Sequence, residues 1–230
     1  MAEVRAVLFD MDGLMFDTEA LNMRGWIEAG KLHGFEITEA HVRKHIGANV
    51  TTTKALMLEQ FGEVFDFDRI RKDRIAWVFA YIEKNGTPVK SGLRELLAFL
   101  REKGLKTALA SSTEERIVRV YLEHAHLEHR FDVVVCGDMA KEGKPAPDIF
   151  LLARSKLDVP AGACLVLEDS YNGILAAHRA GIRSVMIPDL LPPTPEMEKL
   201  FFRKLDALHD VIPLIESLRE SGELQSGELP

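Results

Sequence analysis

The chain has 230 residues, 47% of them hydrophobic, which is enough for a real core in one domain with an insertion or in two smaller ones. Its 36 acidic residues outnumber 29 basic ones, and the formal charge of -7 repels phosphate backbones, so no nucleic-acid partner is expected. Cys136 and Cys164 are the only cysteines and lie far apart beside apolar runs, which implies buried free thiols rather than a disulfide or zinc framework. No apolar run approaches the roughly 18 residues of a membrane span, and acidic residues occur by position 3, so a soluble cytoplasmic protein without a signal peptide is expected.

Val4 to Phe9 reads as a short buried strand that ends in Asp10 and Asp12, followed by Gly13. Residues i and i+2 of an extended segment point the same way, so two carboxylates face one small volume. In an open parallel sheet, ligands bind beyond the carboxyl ends of the strands. The repulsion between the two acids calls for a cation, or for a division of labour between an ionised nucleophile or ligand and a proton donor. A solvated strand-to-loop turn is the alternative at this point. A calcium loop is a poor fit, because the positions that need its glycine and closing glutamate hold Met15 and Leu21.

Glu19 to Gly86 contains no convincing strand, but Ile75, Val78, Phe79 and Ile82 form a helical stripe, and Thr52 to Phe61 forms a weaker one. From Thr87 the texture changes. Pro88, Ser91 and Gly92 open a helix with Leu93, Leu96, Leu97 and Leu100 on one face, stopped by Gly104. Strands are then expected at 106–110, 132–136, 163–168 and 184–188, alternating with helices at 114–124, 146–157 and 170–180. This alternation predicts right-handed crossovers and an α/β doubly wound parallel sheet that includes the first strand, so the helical block is an insertion. Pro188 to Pro195 is a loop, and Val211, Leu214, Ile215 and Leu218 mark a last helix before a polar tail.

Each later strand delivers polar residues to the edge that holds Asp10. After the second comes Ser111 to Glu115, where Ser112 and Glu115 have capping-box spacing and Ser111 is left to face the crevice. After the third, Pro145 and Pro147 fix Lys144 at the mouth of a helix. The fourth ends in Glu168-Asp169-Ser170, a second acidic pair. Two acidic strand ends with one lysine and one hydroxyl suit a hard-oxygen magnesium site and a clamp for a phosphoryl group. His124, His126 and His129 share no helical face and do not suggest a transition-metal site.

In order, the motifs are Asp10-Met-Asp12-Gly13 with Asp17-Thr18, then Ser111, then Lys144-Pro145-Ala146-Pro147-Asp148, then Glu168-Asp169-Ser170 with Asn172-Gly173. Together they resemble the haloacid dehalogenase-like (HAD) hydrolase superfamily, in particular its small phosphatases and β-phosphoglucomutases with a helical cap after the first strand. The resemblance runs to about residue 218. It implies a strand order of 5-4-1-2-3 with the switch point between strands one and four. It also implies a core of residues 1–16 and 88–218, a cap of residues 17–87 and a flexible tail of residues 219–230.

By the same resemblance, Asp10 is the nucleophile that forms an aspartyl-phosphate and Asp12 is the general acid and base. Mg2+ is held by the Asp10 carboxylate, the Asp12 main-chain carbonyl and Asp169, with Glu168 ligating directly or through water. Ser111 and Lys144 bind the phosphoryl oxygens. Substrate contacts from the cap are assigned to Asn22, Trp26, Gly47, Asn49 and Thr51, within and near the run His45 to Thr53. Asp12 speaks against a dehalogenase, since dehalogenases resembling these proteins lack that acid.

Proteins resembling β-phosphoglucomutase carry a cap histidine where this chain has Asn22, and a lysine and an arginine where it has Ile46 and Val50. A mutase must hold a second phosphate, and cap cations are the natural means. The expected function is therefore a magnesium-dependent phosphatase acting, as a monomer, on a small phosphorylated metabolite. A phosphosugar mutase is the alternative. A catalytically silent binding protein is disfavoured because Asp10, Asp12, Lys144 and Asp169 are all present.

Overall fold

The computed structural model describes residues 3–46, 48 and 50–221, so Gly47, Asn49 and residues 222–230 of the expected tail lie outside the described residues, while residues 219–221, expected to begin that tail, belong to the last helix. A six-stranded parallel sheet runs in the order β3-β2-β1-β4-β5-β6. Its strands are β1 (Ala6–Phe9), β2 (Lys106–Ala110), β3 (Val133–Val135), β4 (Cys164–Glu168), β5 (Arg183–Met186) and β6 (Arg203–Lys204). The first five stand in the order the resemblance implied. The two-residue β6 beyond β5 carries too little apolar pattern to read as a strand.

Strand periodicity divides the core between the two faces of the sheet. Val7, Phe9, Leu109, Leu165 and Leu167 join one buried cluster, with α5 (Leu93–Glu102), α6 (Glu115–Ala125) and α9 (Val211–Ser221). Ala6, Leu8, Ala108, Cys164 and Val166 join the other, with α7 (Asp148–Leu157) and α8 (Tyr171–Arg179). Strands buried on both faces read as near-continuous apolar runs, which is why they were visible in the sequence. Both cysteines are buried free thiols, and burial pushes Cys136 up to about 12, far from reactive thiolate.

Between β1 and α5 lie four helices, α1 (Thr18–Leu32), α2 (Glu39–Arg43), α3 (Val50–Phe61) and α4 (Phe67–Asn85), with no strand among the described residues there. They have their own small core, including Met23, Trp26, Met57, Phe67 and Ile70. The expected α4 stripe instead packs downward, as Ile75, Val78 and Ile82 belong to the cluster of Val7 and Phe9. The chain leaves the sheet and returns to it through two adjacent segments. Lys90 N–H donates to the Met15 carbonyl at 2.9 Å and Asp17 N–H to the Pro88 carbonyl at 2.8 Å, with Phe16 and Val89 forming an antiparallel bridge.

The helices expected from residues 114, 146 and 170 begin at Glu115, Asp148 and Tyr171, but the cap expected at Ser112 is not formed. Ser112 is exposed and caps nothing; Glu114 is the N-cap of α6, and the Glu115 N–H donates to the Asp138 carboxylate at 3.2 Å. A distant aspartate meets the need that the local spacing seemed to assign. Leu96 of α5 is fully buried in the larger cluster. Leu96→Ala is expected to destabilise the protein by about 2–5 kcal/mol, read as a lowered urea midpoint with unchanged slope.

Candidate active site

The parallel register sets the site. Phe9 pairs with Leu109 on one side and Leu167 on the other, so the next residues, Asp10, Ala110 and Glu168, come out level at three adjacent strand ends. The connection from β1 leads away to β2 on one side while β4 lies on the other, which makes this the switch point where a crevice opens.

Lys144, 5% exposed, reaches across all three ends. Its Nζ donates to Asp10 Oδ1, to Glu168 Oε1 at 2.7 Å and to the Ala110 carbonyl at 3.1 Å. Burial pulls the ammonium down, but the charges of Asp10 and Glu168 outweigh it and its pKa is raised. Asp10 is pushed up to about 7, first by burial, which Lys144 offsets only in part, and further by Glu168 and Asp12. Asp169 is raised well above the usual carboxylate range by burial and then by Glu168 and Asp10. The site is short of positive charge.

Glu168, expected to ligate the metal directly or through water, does not itself line the cavity. It is fully buried and its second oxygen, Oε2, accepts from Asp169 N–H at 3.0 Å, Ser170 N–H at 2.9 Å and the Ser170 hydroxyl at 3.0 Å. With Lys144 on Oε1 and the donors at the α8 N-terminus on Oε2, both oxygens are hydrogen-bonded within the protein, and Glu168 braces the strand ends. Gly173 makes this possible, since a Cβ there would lie 1.7 Å from Glu168 Oε1.

Asp12 has a hydroxyl on each oxygen, from Thr18 to Oδ1 at 2.6 Å and from Thr113 to Oδ2 at 2.7 Å. Ser111 is buried and accepts the Thr113 N–H at 3.0 Å, which leaves its own proton available to an anion. Asp10, Asp12, Ser111, Lys144 and Asp169 all line one cavity of about 640 Å³.

The opposite wall comes from the four helices. Asn22 and Trp26 line the cavity as expected, although Trp26 is 4% exposed and mostly packed. Thr51 is exposed and does not line it; Thr53, two residues on and so on the opposite side of α3, does. Ile46 and Val50 bring no charge to the cap wall, but cations reach it from another helix. Arg71 and Arg74 of α4 both reach the cavity, Arg71 paired with Glu114 at 2.6 Å and Arg74 donating to Asn22 Oδ1 at 2.5 Å while stacked over Trp26. Arg74 Nε is closed off from solvent without a partner, as is Nε2 of the buried His45 nearby. Burial and the Arg74 charge hold His45 down at about 4, so it is neutral.

Sequence reasoning passed over Thr113, Glu19, Arg74 and Asp189. For Arg74 a signal existed: it stands four residues from both Ile70 and Val78, a cation in a buried stripe. Glu19 is pushed up to about 8 by burial and by the charges of Asp12, Asp189 and Asp10.

A doubly wound sheet with acidic strand ends, a bracing lysine and a helical insertion after the first strand defines a class, and the comparisons agree with it. Residues 4–181 match the haloacid dehalogenase-like hydrolase family, and the chain belongs to that family and is a hydrolase. Among its relatives, the phosphorylated carbohydrates phosphatase of Thermotoga maritima is 36% identical over 186 residues, 79% of this chain and 84% of that protein. Hexitol phosphatase B of Escherichia coli is 27% identical over 195 residues, 81% of this chain and 84% of that one. The crystal structure of a D10N mutant of CbbY from Rhodobacter sphaeroides in complex with xylulose-(1,5)bisphosphate is similar with a TM-score of 0.79 at 26% identity, covering 90% of this chain and 96% of that chain.

Carboxyls raised in the folded state hold protons that the unfolded chain releases near pH 4. Between that pH and the folded values of about 7 for Asp10 and about 8 for Glu19, the unfolded chain binds fewer protons, so stability falls as pH rises. In chelator, the Tm is expected to drop steadily between about pH 5 and pH 8, with a shallower slope in Glu19→Gln, as read by scanning calorimetry. A Tm that rises across this window contradicts the assignment.

Proposed function

We propose that this hydrolase is a magnesium-dependent phosphatase that cleaves a small phosphomonoester through a phosphoryl group carried on Asp10. The observation that carries the reading is the level array of strand ends, with Asp10 held by a buried Lys144 beside an Asp12 held by two hydroxyls. The named phosphatases among the relatives support it.

The residues fit a magnesium ion. Asp10 and Asp169 offer hard carboxylate oxygens, crowded by like charge, at one end of the cavity. Among the described residues no three side chains form a ready-made cage; by the family resemblance the main-chain carbonyl of Asp12 would be a further ligand, with water in the remaining positions. When bound, Mg2+ supplies the positive charge that lets an anionic nucleophile meet an anionic phosphoryl group.

Lys144 holds the Asp10 carboxylate in place, and Asp10 attacks phosphorus. Asp12 gives its proton to the leaving oxygen and later takes one from water. Thr18 and Thr113 suit both stages, because a hydroxyl can donate to the carboxylate and turn to accept from the acid. Ser111 donates to a phosphoryl oxygen, and Lys144, whose three protons rest on protein acceptors, stabilises the phosphoryl group by its charge or by turning one proton from an acceptor onto it. The helices, taken as a cap over residues 17–87 on a core of 1–16 and 88–218, exclude bulk water and choose the leaving group. We read the protein as a cytoplasmic monomer, since a single chain supplies every residue of the site.

The test is phosphate release from a panel of sugar and nucleotide-like monophosphates. Activity is expected with Mg2+, lost in chelator, and lowered at least about a thousandfold in Asp10→Asn, which keeps the shape of the side chain. A second reading, a phosphosugar mutase, is favoured by Arg74 in the cap wall, which restores a cation where Ile46 and Val50 provide none. Conversion of β-glucose 1-phosphate into glucose 6-phosphate without phosphate release decides for it.

A further inference from the structure

The loop after β5 brings another carboxylate to the cavity. The Asp189 side chain is 8% exposed. Its Oδ1 accepts from Lys90 Nζ at 2.5 Å, whereas its Oδ2 is closed off from solvent and has no hydrogen-bond partner. A buried carboxylate oxygen without a donor carries its full desolvation cost, so a donor outside the protein is called for. Gly13 shows where Oδ2 lies. With φ of +83°, it turns a bare face to two carboxylates, where a Cβ would stand 2.2 Å from Asp169 Oδ2 and 3.3 Å from Asp189 Oδ2. The unmatched oxygen therefore shares one small volume with a carboxylate assigned to the magnesium ion.

Lys90 belongs to the segment that returns from the helices to the sheet, and its Nζ also lies 3.6 Å from Asp17 on the outgoing segment. With one oxygen held by an ammonium, Asp189 is a weaker direct ligand than Asp169, but its other oxygen remains a good acceptor. Magnesium gives up its water reluctantly and keeps several molecules when bound to few carboxylates. We propose that Asp189 is a positioning residue of the cation site, its Oδ2 accepting a hydrogen bond from water of the ion's hydration shell beside Asp169. This rests on the magnesium reading above.

The experiment is titration calorimetry of Mg2+ into the full chain, without substrate, for wild type, Asp189→Asn, Asp189→Ser and Lys90→Met. Carboxylates that orient a metal's ligands typically change its affinity ten- to a hundredfold, so both Asp189 variants are expected to weaken Mg2+ binding at least about tenfold. Lys90→Met is expected to leave binding unchanged or tighten it, because Asp189 then carries its charge uncompensated. If Asp189 serves only to anchor Lys90, all three variants weaken binding alike or none does, and either result overturns the proposal. Urea midpoints identify a variant that fails to fold, in which case the other Asp189 substitution stands for it. Wild-type affinity in a folded Asp189 variant removes this proposal alone; no Mg2+ binding by the wild type removes the magnesium reading with it.

Discussion

The structure depends on one buried ammonium. Lys144 takes its three acceptors from three adjacent strands, the Asp10 carboxylate after β1, the Ala110 carbonyl ending β2 and the Glu168 carboxylate ending β4. A buried charge is tolerated only when paired and fully hydrogen-bonded, and removing one partner of such a group typically costs about 3–5 kcal/mol. The requirement spreads outward. Glu168 must lie beneath the start of α8, Ser170 must turn its hydroxyl onto it, and residue 173 must have no side chain. An array that is individually strained by desolvation is thereby held in a single geometry.

That geometry gives four neighbouring acidic side chains different surroundings. Glu168 accepts from Lys144 and from the start of α8, Asp10 faces the lysine, Asp12 accepts from two hydroxyls, and Asp169 stands against Gly13. The core thus supplies the chemistry on rigid strand ends, where small misplacements are most costly. The helices supply the opposite wall, Trp26 and Arg74 among its residues, and the paired segments around Phe16 and Val89 join the two parts.

The sheet was legible because strands buried on both faces are apolar throughout and their ends are abruptly polar. Asp10, Ser111, Lys144 and Asp169 could be named on that ground, and the structure brings them into one cavity. What escaped depended on distance in sequence. Nothing local says that Asp138 will cap α6 in place of Ser112, or that Thr113 will reach Asp12. Glu168 and Asp169 look alike in sequence, and only the register that levels Glu168 with Asp10 assigns one to bracing and the other to the cavity. Arg74 is hidden for a different reason: the cation comes from the middle of α4, beside a stripe that reads as apolar, and not from the loop before α3.

The most direct measurement of the central claim is acid-quench peptide mass spectrometry of the protein caught while turning over a phosphomonoester. The account predicts a phosphoryl group on the peptide that contains Asp10, formed within a turnover, absent in Asp10→Asn and lost on a chase with unlabelled substrate. Rapid turnover with no labelled peptide, or a phosphoryl group on another residue, contradicts the role given to Asp10 and with it the purpose assigned to the lysine that holds it.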